Sequence, residues 1–182
     1  MPENRRVRMT KKMLKDAILS LLETRSLDRI TVTEICAAAD VNRSTFYAHY
    51  EDARQLLREI EDDMLEHMPV LPVPFTNLPS QQSYAPLVEF LQYVQDNARL
   101  FRVMLVRRDG GAFFNRAVQA MMEMAKASGQ MQDERLTRYD CAYRLNGTIG
   151  IVREWIADGF PLPPEEMAKV IWYRRINAEI GS

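Results

Sequence analysis

The sequence predicts an all-α protein, on three observations. Apolar residues recur at helical spacing, as in Met13, Leu14, Ala17, Ile18, Leu21 and Leu22 of the segment from Thr10 to Glu23. No segment shows the alternation of a β-strand, and no internal repeat is present. Prolines and glycine pairs fall between the periodic segments, where they end helices. The expected architecture is a three-helix head that contains a helix-turn-helix, followed by a helical bundle.

Helix-start signals order the first part of the chain. Thr31 and Glu34 have the spacing of a capping box, which predicts a second helix from near Thr33 to near Asp40. Asn42 is a good N-cap for a third helix over 43–49, because its side chain can accept from an early backbone N–H. Asp52 and Gln55 repeat the device for a fourth helix, whose apolar face is Leu56, Leu57, Ile60, Met64 and Met68.

The remainder of the chain is predicted to be a connector and a bundle. Five prolines between 68 and 86 exclude a continuous helix there, since proline lacks the N–H that a helix interior needs. Five further helices follow, over Leu87–Asn97, Arg99–Val106, Phe113–Ala127, Leu136–Ala157 and Pro164–Asn177. We therefore expect a head at 1–55 and a helical-bundle domain at 56–182.

Composition excludes several classes of protein. Cys36 and Cys141 are the only cysteines, without a nearby histidine cluster, so neither a metal site nor a disulfide framework is expected. No catalytic motif, signal peptide or apolar span is evident, and we expect a cytoplasmic protein that is not an enzyme, requires no cofactor and has no membrane partner. Residues 1–58 hold 11 basic against 8 acidic residues, whereas the net charge of the whole chain is -1. The positive charge is concentrated in the head.

The segment Ile30–Tyr50, read from Ile-Thr-Val-Thr-Glu-Ile-Cys to Ser-Thr-Phe-Tyr-Ala-His-Tyr, closely resembles the signature of TetR-family transcriptional regulators. The resemblance covers about residues 10–60. It implies a homodimer that binds an inverted-repeat operator in double-stranded DNA, usually as a repressor, and whose affinity responds to an effector. It also implies that residues 56–182 form the regulatory and dimerisation domain. The segment Gly147–Trp155 more loosely resembles relatives of the dihydroxyacetone-kinase regulator type.

Two positions depart from the family pattern. Asp40 replaces a turn glycine, which is tolerable because aspartate adopts the left-handed conformation at modest cost. Ala53 replaces a lysine that binds phosphate, and Arg54 points about 100° away from it on the helix. We expect weaker binding to the DNA backbone than is usual in the family, unless Arg5, Arg6 and Arg8 contribute.

The predicted DNA contacts lie on the second to fourth helices. Arg43 is expected to read a base edge, as guanidinium groups pair with guanine in bidentate fashion. Ser44 and Thr45 suit phosphates or base edges, Thr33 suits a phosphate, and Phe46 and Tyr50 are expected in the core. The complete predicted set is Thr33, Asn42, Arg43, Ser44, Thr45, Tyr47, His49 and Arg54.

Two further sites are expected in the C-terminal half. Aromatic and thioether side chains there are either plain core or the lining of a small-molecule effector pocket: Phe90, Tyr93, Met104, Phe113, Met121 and Tyr143. A dimer interface is expected near Gly147, Gly150, Ile151, Trp155, Val170 and Ile171. The main alternative is a TetR-like coactivator that acts through a protein partner.

Overall fold

A computed structural model describes residues 5–69, 85–106, 115–116, 118–119, 123 and 134–180. The chain divides into two compact units, Met1–His67 and Met68–Ser182. The described residues form helices and connecting turns, without a strand among them. Within this part of the chain, the all-α prediction is confirmed.

The first unit is built from four α-helices. They are α1 (Arg5–Leu22), α2 (Val32–Ala39), α3 (Arg43–Tyr47) and α4 (Ala53–His67), with a short 3-10 turn at Leu27–Arg29. Helix α1 packs against α2 and α4, and α2 packs against α3. Because α4 lies against α1, packing groups it with the head, twelve residues beyond the sequence-based boundary at 55. The core includes Leu14, Ile18, Ile35, Phe46, Leu56 and Met64, all at most 2% exposed.

Helix α1 begins at Arg5, five residues before the predicted start at Thr10. The prediction was wrong because it began the helix at the first apolar stripe. Arginine and lysine are themselves good helix formers, so a solvated basic segment extends a helix without contributing to the core. The basic residues from 5 onwards are therefore fixed on a helix, which matters for the site.

The second unit contains α5 (Ala85–Asp96), α6 (Ala98–Phe101), a π-helical turn (Arg102–Val106), α7 (Glu134–Ala157) and α8 (Pro164–Ile180). Helix α5 packs on α8, α7 packs on α8, and the π-helical turn packs on α7. The predicted connector, which ended at Pro86, extends two residues too far, because Pro86 lies in the first turn of α5, where proline is tolerated. Most of the predicted helix Phe113–Ala127 lies outside the described residues.

The corner between α7 and α8 is well defined. Gly159 and Phe160 both adopt positive φ, of 76° and 63°. The Phe160 ring packs edge-on against Trp155, with centroids 4.7 Å apart. Trp155 is 2% exposed, and its Nε1 donates to the carbonyl oxygen of Leu162 at 2.9 Å. These contacts hold the left-handed phenylalanine, a conformation that costs a bulky residue free energy.

Among the described residues, no helix combines the length and the apolarity that crossing a bilayer requires.

Candidate nucleic-acid interface

The turn between α2 and α3 has three residues, Asp40, Val41 and Asn42. Asp40 adopts the left-handed conformation with φ 53° and ψ 46°, as expected for a residue in place of a turn glycine. The Val41 N–H donates to the carbonyl of Cys36 at 3.0 Å, which is the 6→1 bond of a Schellman motif. This hydrogen bond ends α2 at Ala39, and α3 begins at Arg43 after the three-residue turn.

The start of α2 is fixed by the predicted capping box. Thr31 is the N-cap, its hydroxyl accepts from the Glu34 N–H at 3.3 Å, and its own N–H donates to the Glu34 carboxylate at 2.9 Å. Helix α2 therefore begins at Val32, one residue earlier than predicted. Arg25, which follows α1, adds an ion pair to Glu34 at 2.6 Å. The Arg25 and Thr31 hydrogen bonds lower the pKa of Glu34 from 4.5 to about 2. Thr33 is exposed in the first turn.

The start of α3 differs from the prediction in one respect. Asn42 is the N-cap, but its side chain makes no capping hydrogen bond. Its backbone carbonyl accepts from the N–H groups of Thr45 and Phe46 at 3.0 and 3.1 Å. The short helix is held by these bonds and by burial of Phe46, which is 0% exposed. The Asn42 side chain is exposed, so its amide is accessible to solvent or a ligand.

The outer side of α3 carries a coupled pair, Arg43 and Tyr47. Arg43 Nη2 donates to the Tyr47 hydroxyl at 3.5 Å, and the guanidinium carbon lies 5.9 Å from the ring centroid. The Tyr47 side chain is 50% exposed. Ser44 is exposed beside them and Thr45 is half-buried. The face thus presents a guanidinium, a phenol and two hydroxyls on a helix anchored by Phe46.

A polar network ties the end of this region to α1 and α4. Tyr50 is 2% exposed, and its hydroxyl donates to Glu59 at 3.1 Å. Glu59 also pairs with Lys11 at 3.3 Å and with Lys15 at 2.8 Å. Burial raises the pKa of Glu59, but the two lysines outweigh burial and the net shift is downward. Tyr50 is therefore core, as predicted, while the half-buried His49 packs edge-on against its ring at 6.3 Å.

The first residues of α4 carry the departure from the family pattern. Ala53 is only 8% exposed. Arg54 is exposed and forms an ion pair with Asp28 of the 3-10 turn. This pairing could not be predicted from the sequence, because 26 residues separate the partners and nothing in the local pattern indicates it. Asp52 and Gln55 cap α4 as predicted, with the Gln55 N–H donating to Asp52 Oδ1 at 2.7 Å.

The predicted effector residues are only partly brought together. Phe90 is buried, Tyr93 is half-buried, and both rings pack edge-on against Phe101 at 6.4 and 5.8 Å. Burial raises the pKa of Tyr93. Met104 is buried as well, whereas Tyr143 is 73% exposed on α7. Phe113 and Met121 lie outside the described residues.

The predicted dimer residues divide into buried and exposed groups. Trp155 and Ile171 are buried within their own chain, and Ile151 is half-buried. Gly147 and Gly150 are exposed, and a Cβ atom on either would meet no atom within 4 Å. Val170 is 40% exposed on α8. The side of α7 that carries the glycines also carries Tyr139 and Tyr143, 75% and 73% exposed.

Comparison with known proteins identifies the class. The family described as bacterial regulatory proteins, tetR family, matches residues 14–60, which span half of α1, all of α2 and α3, and about half of α4. A family of transcriptional regulator C-terminal regions matches residues 81–172, half of the chain. The chain therefore belongs to the TetR family of bacterial regulators.

Among curated proteins, an uncharacterized HTH-type transcriptional regulator, YxbF of Bacillus subtilis (strain 168), is 26% identical over 166 residues. The match covers 87% of this chain and 43% of the relative, so the chain spans less than half of the relative's length.

Solved structures of similar fold include three regulators. A TetR regulator from Streptococcus agalactiae 2603V has a TM-score of 0.63 at 22% identity, covering 92% of this chain and 93% of its own. NalD, the secondary repressor of the MexAB-OprM efflux pump in Pseudomonas aeruginosa, has a TM-score of 0.66 at 16% identity, covering 96% and 97%. The dihydroxyacetone kinase operon activator DhaS has a TM-score of 0.56 at 18% identity, covering 93% and 95%. These likenesses show a shared fold.

Proposed function

We propose that this protein is a transcriptional regulator that binds an operator in double-stranded DNA through α3. The observation that carries the proposal is the two-sided character of that helix. Phe46 is 0% exposed and holds α3 on the head, while Arg43, Ser44 and Tyr47 are exposed on it. A short helix with this arrangement after a tight turn is the recognition element of a helix-turn-helix.

Arg43 is assigned the direct reading of a base. Its guanidinium has only the Tyr47 phenol as a hydrogen-bond partner among the contacts within α3, and a phenol is a weaker acceptor than a carboxylate. The O6 and N7 atoms of guanine offer two acceptors in a matching geometry. Thr33, Asn42, Ser44, Thr45, Tyr47 and His49 are assigned to phosphates or neighbouring base edges, which position the helix.

We assign dimerisation to the exposed face of α7. Tyr139, Tyr143, Gly147 and Gly150 follow one another at spacings of four, four and three residues, which places them on one side of the helix. Large exposed rings beside a groove of glycines suit close packing against a second helix. Val170, which is exposed on α8, is assigned to the same interface. A two-fold dimer of this kind predicts an inverted-repeat operator.

The second unit is assigned the response to a small-molecule effector. Support comes from the aromatic cluster of Phe90, Tyr93 and Phe101, since ligand sites are lined mainly by apolar and aromatic side chains. We propose repression as the default outcome, because a dimer that occupies an inverted repeat blocks other proteins from that DNA.

Selection of bound duplexes from a randomised pool at about 0.15 M salt tests the proposal, since at that ionic strength phosphate contacts alone bind weakly. Wild type is compared with Arg43→Ala and with Arg102→Ala, which removes an exposed arginine from the second unit. We expect wild type and Arg102→Ala to enrich the same inverted repeat. Arg43→Ala is expected to lose discrimination at one base pair in each half-site, by about 1–3 kcal/mol.

Two results would count against the proposal. No enrichment by wild type would favour the alternative in which the protein acts as a coactivator through a protein partner. Enrichment of one motif by all three proteins would remove Arg43 from base reading.

A further inference from the structure

The first turn of α1 carries exposed arginines at positions 5, 6 and 8, and we name the pair Arg5 and Arg8 the α1 basic turn. They lie three residues apart and so occupy the same side of the helix. Within the described residues, neither forms an ion pair. This distinguishes them from four other cations of the head, Lys11, Lys15, Arg25 and Arg54.

Those four cations are already neutralised. Lys11 and Lys15 pair with Glu59, and Lys15 also pairs with Asp63. Arg25 pairs with Glu34, and Arg54 pairs with Asp28. A paired cation attracts phosphate weakly, because its field is largely cancelled at a distance beyond the pair. The α1 basic turn therefore contributes positive charge that the head's acidic residues do not offset locally.

The ion pairs between α1 and α4 also locate this turn along the head. Lys11 meets Glu59 and Lys15 meets Asp63, and in both pairs the partners are 48 residues apart. A constant offset means that the two helices run in the same direction, in step along their contact. If the same offset of 48 residues is applied towards the start of α1, Arg5 lies beside Ala53 along the helix pair and Arg8 lies beside Leu56. The α1 basic turn thus lies at the end of the head where α4 begins.

That end of the head is also the end where the recognition region stops. Lys11 lies over the ring of Tyr50, with Nζ 5.8 Å from the centroid, and Tyr50 follows α3 by three residues. Ala53 is the first residue of α4 and replaces the lysine by which the family binds phosphate. Its methyl side chain cannot bind a phosphate, and the residue is only 8% exposed. Arg54 next to it is engaged with Asp28.

The geometry points to the α1 basic turn as a second anchor for the DNA backbone, in which Arg5 and Arg8 bind phosphates beside the recognition helix and replace the lysine absent at position 53. The inference rests on the proposed function. Its occupant is DNA because the surface is cationic, exposed and level with the beginning of α4. Glu51 and Asp52 lie at this same end, and the Asp52 carboxylate is engaged by the Gln55 N–H.

The test is the salt dependence of binding to a mixed-sequence duplex, since phosphate contacts do not depend on base sequence. Each phosphate contact contributes about 0.9 to the slope of log K against log salt. The double variant Arg5→Ala/Arg8→Ala is expected to have a slope shallower by about 1.8 for each bound subunit. Arg5→Lys/Arg8→Lys keeps both charges and is expected to keep the wild-type slope. Arg102→Ala/Lys169→Ala, which removes two exposed cations from the second unit, is the matched control.

The outcomes separate the two proposals. A wild-type slope in the Arg5→Ala/Arg8→Ala protein overturns the anchor and leaves the proposed function standing, because wild type still binds. A wild-type slope combined with a lower melting temperature assigns the two arginines to stability instead. Wild type that binds no duplex at any salt concentration overturns the proposed function itself.

Discussion

Tyr47 links the core of the head to its exposed face. Its ring meets the buried Phe46 edge-on at 5.6 Å, and its hydroxyl accepts a hydrogen bond from Arg43. The aromatic contact fixes the ring, so the position of the hydroxyl is fixed as well. One tyrosine thereby serves packing through its ring and polar contact through its oxygen.

Replacement of this tyrosine, Tyr47→Phe, removes the oxygen and keeps the ring. We expect the variant to bind every duplex more weakly by a similar factor, because a contact with phosphate carries no sequence information. Titrations of the selected operator and of a scrambled duplex measure the two affinities. If only binding to the operator became weaker, the hydroxyl would act by orienting Arg43 and not by contacting a phosphate.

Single residues with local signals were predictable, and residues with distant partners were not. Thr31, Glu34 and Asp40 act within a few positions along the chain, so their types and spacing were enough to place the cap and the left-handed turn. Arg54 and Asp28, by contrast, are neighbours only in the fold. The capping hydrogen bond expected from the Asn42 side chain was wrong. Residue type shows that a side chain can cap a helix, but whether it does so depends on its surroundings in the fold.

At the scale of elements, the start of α2 depends on one carboxylate. Glu34 receives hydrogen bonds from Thr31 and from Arg25, which join the helix start to the segment after α1. The same bonds depress its pKa from 4.5 to about 2. A carboxyl group with a depressed pKa stabilises the fold above its unfolded pKa, and this contribution is lost as pH falls through the folded value.

Glu34→Gln tests this contribution, because glutamine still accepts the bond from the Thr31 N–H but carries no charge. At pH 7 we expect the variant to melt at a lower temperature than wild type. The difference is expected to shrink as the pH falls from 4.5 towards about 2, where wild type loses the charge too. Thermal unfolding followed by circular dichroism measures it. Glu66→Gln, at an exposed position of α4, is the control. A difference independent of pH would contradict the role of the charge.

The predicted helix boundaries agree with the structure where glycine or proline ends a helix. The residues from Gly159 to Pro161 end α7 and leave Pro164 to open α8, as predicted. The start of α1 was missed because Arg5, Arg6 and Arg8 add no apolar residue to the periodic stripe, and arginines can extend a helix without leaving such a pattern. In the sequence these arginines resemble a charged tail, but in the structure they form the first turn of α1. Their position beside α4 could not be predicted from the sequence.

At the scale of the whole molecule, recognition of an inverted repeat requires two copies of the chain. The dimer face that we propose on α7 leaves the chain's own core undisturbed, since Val152, Trp155 and Ile156 on the other side are at most 2% exposed. The two tyrosines and two glycines of the outer side are thus free to meet a second copy. The proposed symmetry of the operator depends on the proposed dimer, because a two-fold dimer predicts an inverted repeat.

The double substitution Gly147→Leu/Gly150→Leu separates assembly from folding. Each new Cβ atom enters open space within the chain, and leucine has a higher helix propensity than glycine by up to about 1 kcal/mol, so the subunit is expected to fold at least as well. Between two copies, however, the leucines would hold the α7 helices apart. Sedimentation is expected to give a dimer for wild type and a monomer for the variant, with equal helix content. Gln92→Leu, which adds a leucine to an exposed position of α5, is expected to stay dimeric. A variant that remains dimeric and still binds the inverted repeat would place the two-fold axis on another surface.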